Sequence, residues 1–502
     1  MLKPIKLTGE QKKVLFLPEK EPIQIKGVAG SGKTTVALYR AKHLVDTYRN
    51  LFQEPNVAIF TYNKSLVKYI NSLLPLVIGG YQKESDIILE KPNGLNVQVF
   101  TFHSYAYKFL QSNGFWRTHD VIKKKEKTEL IEKTVLEHKL KNPAVKILSK
   151  KVAFFEDEFS WIKGKMFSSK DEYLNAQRSG RGVQDKVTKS DRELIWECYT
   201  SYQNKLKILK QIDFDDFAIY ALNYLKNLKS FNPPFSHLVI DEAQDLSKAQ
   251  ITFMKELVYK STNSLTLIAD TAQRIYKSGF SWAEVGINVV GGRTTVLKKN
   301  YRNTKEIAFA SLSLLDKEND KTDFTDADTS AFIKTGDKPM VAFFNSYQGQ
   351  NNYLVTELKK IDLKKYSVVV LHRCRNSLTR ILKLLEFNKI PAEVIGQDFE
   401  NFSSETVKIC TLPSIKGLEF DYVLVVDLNE DTIPLPTGIT GEDDDFHIST
   451  ERRLLYTSMT RAKEKLYLIS SGKPSIFVSE LAENLVETKG NNQTLLKDEL
   501  PF

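Results

Sequence analysis

Short apolar runs rich in β-branched residues alternate along this chain with longer stretches whose apolar positions recur at helical spacing. The first set is Ile23-Gln24-Ile25, Val57-Ala58-Ile59-Phe60, Val97-Gln98-Val99-Phe100, Leu238-Val239-Ile240 and Leu265-Thr266-Leu267-Ile268. Near-continuous apolar runs set between helical stretches predict strands of a parallel sheet covered by helices. A second set follows: Val341-Ala342-Phe343-Phe344, Val368-Val369-Val370-Leu371, Val407-Lys408-Ile409-Cys410, Val423-Leu424-Val425-Val426 and Leu466-Tyr467-Leu468-Ile469. The expected fold is therefore α/β, with two sheets in tandem and a cleft between them.

Residues 111–210 differ, being poor in strand-like runs and rich in Lys, Glu and Leu at helical spacing, which predicts a helical insertion. The expected organisation is a first lobe in two parts (residues 1–110 and 211–290), the insertion (111–210), a second lobe (291–490) and a tail (491–502). Asp316 to Ser330 and Asp443-Asp444-Asp445 read as exposed polar loops.

Composition narrows the class. With 502 residues, 41% hydrophobic and 27% charged, the chain can bury several cores, which argues against a largely disordered protein. A formal charge of +10 favours polyanionic partners without identifying one. Cys198, Cys374 and Cys410 stand too far apart for a local disulfide framework or a zinc-ligand cluster, so the expected compartment is reducing. Met1-Leu2-Lys3-Pro4 shows no apolar signal core, and no stretch approaches the ~18 apolar residues of a membrane span. The expectation is a cytoplasmic protein without a membrane partner. Lys497-Asp498-Glu499-Leu500 spells a retention signal, but Pro501 and Phe502 follow it, so it is read as chance.

The chemistry enters at Gly27-Val28-Ala29-Gly30-Ser31-Gly32-Lys33-Thr34-Thr35, a phosphate-binding loop pattern set between a strand and a helical run. Glycines let backbone N–H groups turn in around a phosphate, Lys33 neutralises phosphate charge, and the Thr34 hydroxyl is placed to ligate magnesium. Such a site also needs acids at the end of a neighbouring buried strand. His237-Leu238-Val239-Ile240-Asp241-Glu242-Ala243-Gln244-Asp245 supplies them, Asp241 for magnesium and Glu242 to orient and deprotonate the attacking water. The implied cofactors are ATP and Mg2+.

With these residues in place, the chain resembles UvrD/Rep-type superfamily 1 DNA helicases over residues 7 to 470. Leu7-Thr8-Gly9-Glu10-Gln11 resembles the adenine-recognising element, in which Gln11 meets the base. Thr61-Tyr62-Asn63-Lys64 and Thr101-Phe102-His103-Ser104 resemble two single-strand contact motifs. Asp241-Glu242-Ala243-Gln244-Asp245 is similar to the Walker B form, and Ala269-Asp270-Thr271-Ala272-Gln273-Arg274-Ile275-Tyr276 to the following element, in which Gln273 senses the γ-phosphate. Leu297-Lys298-Lys299-Asn300-Tyr301-Arg302 implies Tyr301 against adenine and Arg302 on the γ-phosphate. The segments around Lys416-Gly417-Leu418-Glu419 and Thr457-Ser458-Met459-Thr460-Arg461 resemble the last two motifs; Glu419 joins the nucleotide set and Arg461 the catalytic set. The resemblance implies two tandem RecA-like P-loop lobes, with the helical insertion as accessory subdomain 1B.

Several positions depart from the family pattern. Thr35 stands where many relatives carry an arginine stacking on adenine, and Pro413 replaces a usual histidine. Lys277-Ser278-Gly279-Phe280-Ser281-Trp282 replaces a common Trp-Arg-Gly-Ala, which makes Phe280 and Trp282 candidates, with Tyr276, for base stacking. Only 33 residues separate Arg373 from Val407, too few for the accessory subdomain 2B that relatives place there. Asp213-Phe214-Asp215-Asp216-Phe217 resembles a family helix start, with helix capping favoured over metal binding. The functional expectation is an ATP-dependent DNA helicase or translocase on single-stranded and tailed duplex DNA, with 3′-to-5′ polarity. The alternative is a DNA-stimulated ATPase subunit that recruits a nuclease or repair partner, or clears proteins from DNA.

Overall fold

The structure, a computed structural model, describes residues 7, 9–50, 55–77, 97–176, 187–270, 280–315, 332–396, 399, 402, 405–436 and 443–490. The first lobe begins β1 (Ile23–Gly27), α1 (Lys33–Asn50), β2 (Val57–Thr61), α2 (Lys64–Val77), β3 (Val97–Thr101) and α3 (Phe102–Ser112). The insertion opens with β4 (Asp120–Val121), carries α4 (Lys124–Lys141), α5 (Val152–Lys165), α6 (Lys170–Asn175) and α7 (Lys189–Leu209), and closes with β5 (Gln211–Ile212) paired to β4. The chain then returns through α8 (Asp216–Asn227), β6 (His237–Ile240), α9 (Lys248–Glu256), β7 (Ser264–Ala269) and β8 (Thr294–Leu297). The first sheet, ordered β3-β2-β6-β7-β1-β8, is parallel throughout.

The second lobe follows as β9 (Asn300–Thr304), α10 (Lys305–Leu315), β10 (Phe332–Lys334), β11 (Met340–Phe343), α11 (Tyr347–Lys359), β12 (Val368–His372), α12 (Leu378–Phe387), β13 (Ala392–Val394), β14 (Val407–Thr411) and β15 (Phe420–Val425). It ends with α13 (Asp443–Met459), β16 (Ala462–Ser470), α14 (Ile476–Glu480) and β17 (Glu487–Lys489). Its seven-stranded sheet, ordered β13-β14-β12-β15-β16-β11-β17, is also parallel. Each apolar run named above falls on a strand, with β1, β15 and β16 extending two to four residues past the run at one end, because a strand covered on both faces needs apolar side chains along its buried stretch.

Three expectations are corrected. β8 pairs with β1, so the first lobe extends to Leu297, past the expected boundary at 290. Its TTVL sequence lies on a sheet edge with exposed positions, which left no continuous apolar run to detect. The insertion is bracketed by β4 and β5, so it spans 120–212, inside and just beyond the expected 111–210. Asp443-Asp444-Asp445, expected in a loop, forms the first residues of α13. Asp316 to Ser330 lies outside the described residues.

One apolar cluster runs through both lobes, from Ile25, Val36, Leu66 and Ile70 to Leu412, Ile415, Leu418 and Leu455. The insertion has its own core, with Ile131, Phe155, Phe159, Ile162, Tyr173, Ile195 and Tyr202 buried. Each such side chain contributes roughly 1.5–3 kcal/mol. Between β12 and β14 the described residues form a 3-10 turn (Arg375–Ser377), α12 and β13.

Candidate functional site

In a parallel α/β sheet the loops at the carboxyl ends of the strands gather on one edge, and that edge builds the site. The phosphate loop leaves β1 and enters α1. Gly30 and Gly32 hold φ of +77° and +79°, where a Cβ is strained, and the space beside their α-carbons is filled by Asn300 and Gln11 respectively. Lys33 folds back inside the loop: its Nζ donates to the carbonyls of Gly27 and Val28, both at 2.9 Å, and pairs with Asp270 Oδ2 at 2.8 Å beyond β7. Gln11 Nε2 donates to the Ser31 carbonyl at 2.8 Å, which ties the upstream element to the loop.

Asp241 and Glu242 follow β6, fully inside the molecule. The Thr34 hydroxyl donates to Asp241 Oδ2 at 2.9 Å. Burial first, and the neighbouring Glu242 charge second, push the Asp241 carboxyl well above the usual carboxylate range. A divalent cation at this hydroxyl and carboxylate pair would offset that cost, and an all-oxygen donor set with few protein ligands is what Mg2+ takes. Thr34 and Asp241 are thus the residues that fit magnesium, which would neutralise phosphate charge beside them.

Burial also works against the charge of Glu242, yet Lys416, Arg461 and Lys33 outweigh it and hold the carboxyl below its ordinary value. Gln244 Nε2 donates to Glu242 Oε2 at 2.5 Å, and Gln244 Oε1 accepts from the Asp270 amide at 3.1 Å. The base candidate is thereby tied to the residue that pairs with Lys33.

The second lobe supplies the rest. Lys416, 1% exposed, bonds Asp245 and lies 3.5 Å from Glu242 Oε2. Arg302 on β9 pairs with Glu419, whose carboxyl it holds low against the penalty of burial. Arg461 is fully buried and donates from Nε to the Thr457 carbonyl at 3.0 Å; burial first, and Arg302 beside it second, lower its guanidinium pKa to about 10. Glu242, Glu419 and Asp270 oppose that shift, so Arg461 stands in the field of acids from both lobes. Tyr301 donates its amide to the Gly30 carbonyl at 2.9 Å, and its hydroxyl lies against the Gly9 α-carbon, 2.8 Å from where a Cβ would stand. That hydroxyl is buried without a hydrogen-bond partner, as is Ser31 Oγ in the loop: two orphaned polar atoms beside the site.

The structure brings together Gln11, the loop from Gly27 to Thr35, Asp241, Glu242, Tyr301, Arg302, Glu419 and Arg461. Gln273 and Tyr276 lie outside the described residues. Among the strand-contact candidates, Tyr62 and Asn63 follow β2, half-buried. Asn63 Oδ1 accepts from the Leu66 amide at 2.7 Å, and its Nδ2 reaches the Lys416 carbonyl at 3.4 Å. Phe102, the first residue of α3, is 2% exposed and meets Phe253 edge to face at 6.1 Å. His103 is half-buried among Phe102, Phe214 and Phe217, where burial lowers its pKa. Phe280 and Trp282 are half-buried and meet edge to face at 5.5 Å.

Sequence reasoning gave no role to Asp270, Gln244, Lys416, Asn300 or Asn303, all of which the structure puts among these side chains. Asp270 and Lys416 sat inside quoted motifs, so their charge was the available signal. Asn303 lies one residue past the motif and carried none. Asp213, 215 and 216 belong elsewhere, at the root of the insertion. Lys163 pairs with Asp213 at 2.8 Å and Asp216 at 2.9 Å, Asp213 Oδ1 accepts from the Asp215 amide at 3.0 Å, and no metal-holding group of His, Cys, Asp or Glu occurs among the described residues.

Comparison with known proteins gives one family twice. Residues 7–287 match the UvrD/REP helicase N-terminal domain, and residues 295–408 and 397–473 the UvrD-like helicase C-terminal domain. A probable DNA helicase II homolog of Mycoplasma capricolum subsp. capricolum is 24% identical over 409 residues, covering 78% of this chain and 52% of the relative. The ATP-dependent DNA helicase PcrA of Leuconostoc citreum is 22% identical, covering 75% and 48%. The PcrA of Staphylococcus aureus is 21% identical, covering 96% and 87%. This chain spans about half the length of the first two relatives. The alignment to the third extends over 671 residues against the 502 here, so that relative carries sequence this chain lacks. No described helix is long and apolar enough to cross a membrane.

Proposed function

We propose that this chain, which belongs to the UvrD/Rep helicase family, is an ATP-driven motor that tracks single-stranded DNA with 3′-to-5′ polarity and separates tailed duplexes. The observation that carries the reading is the contact of Lys416, from the second lobe, with Glu242 and Asp245 of the first. The base candidate of one lobe is held by a cation of the other, so the chemistry of ATP depends on how the lobes sit. Arg302 and Arg461 add two more cations from the second lobe where a γ-phosphate would develop charge. ATP with magnesium at Thr34 and Asp241 would draw the lobes together, and loss of the γ-phosphate would loosen them. If each lobe grips a strand, alternating closure moves the protein along it.

Asn63 supports a link between strand and nucleotide, since it follows β2 beside Tyr62 and touches the Lys416 backbone. Phe280 and Trp282, with part of each ring exposed, suit base stacking. The test is ATP turnover by wild type and Lys33→Ala with and without single-stranded DNA, then unwinding of 3′-tailed and 5′-tailed duplexes. Strong stimulation by DNA, lost in Lys33→Ala, and unwinding only from the 3′ tail are expected. Turnover indifferent to DNA would favour a recruiting or protein-clearing subunit, and unwinding from the 5′ tail would reverse the polarity.

A further inference from the structure

Arg461 lies in the turn between α13 and β16, and its side-chain bond from Nε to the Thr457 carbonyl is local, reaching back to the last turn of α13. A local bond fixes the arginine relative to its turn but says nothing about where the turn sits relative to the phosphate loop of the other lobe. β15 holds the turn to the second sheet through the Phe420 amide on the Arg461 carbonyl at 3.1 Å, and β9 ties it toward the phosphate loop. Asn303 is completely buried, and its side-chain amide donates to the carbonyl of Thr460 at 3.0 Å and to the carbonyl of Ala462. These are the two carbonyls that flank Arg461. The Asn303 carbonyl oxygen accepts from Asn300 Nδ2 at 3.0 Å. Asn300 Oδ1 in turn accepts from the amides of Arg302 and Asn303, both at 3.0 Å, and lies against the α-carbon of Gly30, where no Cβ would fit. The Tyr301 amide donates to the Gly30 carbonyl at 2.9 Å. A continuous set of bonds thus runs from the phosphate loop through two asparagine amides to the backbone on both sides of Arg461.

We propose that Asn303 is a positioning residue that sets the height of Arg461 over the phosphate loop, with Asn300 as the other half of the same brace. The inference rests on the reading that Arg461 meets the γ-phosphate. The chemistry of the amide is specific. It offers two N–H donors to two carbonyls and one acceptor to Asn300, which neither an aspartate nor an apolar residue of the same size reproduces. A brace of this kind acts on turnover and not on general nucleotide affinity, because ADP has no γ-phosphate for Arg461 to meet, and a misplacement of about 1 Å in a charged catalytic group costs on the order of 10²-fold.

The experiment uses the full chain with single-stranded DNA present and compares wild type, Asn303→Ala, Arg461→Ala and the double variant. For Asn303→Ala we expect kcat to fall about ten- to a hundredfold, and affinity for a non-hydrolysable ATP analogue to fall while ADP affinity holds. The double variant should turn over no more slowly than Arg461→Ala alone, since a residue acting through another has nothing left to do once that residue is gone. Wild-type kcat in Asn303→Ala, multiplication of the two effects in the double variant, or equal losses for ADP and the ATP analogue would overturn the proposal. If circular dichroism shows that Asn303→Ala does not fold, Asn303→Ser, which keeps one donor, is measured in the same four-way comparison with the same outcomes. Wild-type turnover in Arg461→Ala would instead defeat the reading of the site on which the proposal stands.

Discussion

Among the described residues, two of the groups of buried charges are wired differently. At the root of the insertion, Lys163 pairs with Asp213 and Asp216, Lys127 reaches Asp213 and Asp215 at 3.4 and 3.1 Å, and the Tyr202 hydroxyl donates to Asp213 at 2.8 Å. Burial penalises the Lys163 ammonium, and the acids more than compensate, so its pKa is raised. All of these partners come from the insertion and the segment that leaves it. The second group, between the lobes, joins Lys33, Asp241, Glu242 and Asp270 of one lobe to Lys416, Arg302, Glu419 and Arg461 of the other. A group that ties the insertion to the segment returning to the first lobe can only hold that root together. A group divided between two lobes can trade partners when a triphosphate arrives, so the same kind of burial serves as a rivet in one place and as a switch in the other.

The largest expected effect separates the two by activity. Arg461→Ala should lower kcat on the order of 10³-fold or more, the range for an arginine that stabilises the transferring phosphoryl group, with little change in melting temperature. Lys163→Met should do the reverse. It leaves Asp213 and Asp216 buried without their main cation, so urea denaturation should report a loss of about 3–5 kcal/mol while turnover per folded molecule is kept. Stabilisation by ligand sharpens the contrast. ATP analogue and magnesium at a hundredfold over the dissociation constant should stabilise the wild type by about 2.7 kcal/mol, a gain that Lys33→Ala or removal of magnesium should erase. Base stacking comes next. Trp282→Ala should weaken single-stranded DNA binding by about 1–3 kcal/mol per stacked base at fixed salt, read by fluorescence anisotropy. The smallest effect is expected from Asn63→Ser, which keeps a side-chain acceptor for the Leu66 amide and removes the one long hydrogen bond to the Lys416 backbone, worth about 0.5–1.5 kcal/mol, and should show as reduced DNA stimulation of turnover.

How much of this was legible varies with position. The central strands were readable because both of their faces are covered, as in β12, where Val368, Val369, Val370 and Leu371 are all fully buried. Edge strands were not. β13 (AEV) and β17 (ETK) contain too few apolar residues to signal a strand, and their place depends on a neighbour offering unpaired backbone groups. In the site, Lys33, Thr34, Asp241 and Glu242 were legible because phosphate and magnesium chemistry demands those types at those spacings after strands. The surroundings of Phe102 were not legible: an aromatic in a contact motif looks the same in sequence whether its ring faces solvent or, as here, meets Phe253.

What the sequence determined alone is therefore local: which segments are strands and helices, where the phosphate loop and its acids stand, and that the insertion between α3 and α8 is helical. What only the tertiary structure decided is which charges meet. Lys416 and Glu242 are far apart along the chain, and their contact exists because two separately folded sheets present loop edges to each other; Asn303 and Ala462 are also far apart in sequence, and meet because β9 packs against β16 within the second lobe. Short-range propensity and periodicity carry no information across such separations, and pairing at that distance is fixed by the packing of the lobes, not by any pattern within either one.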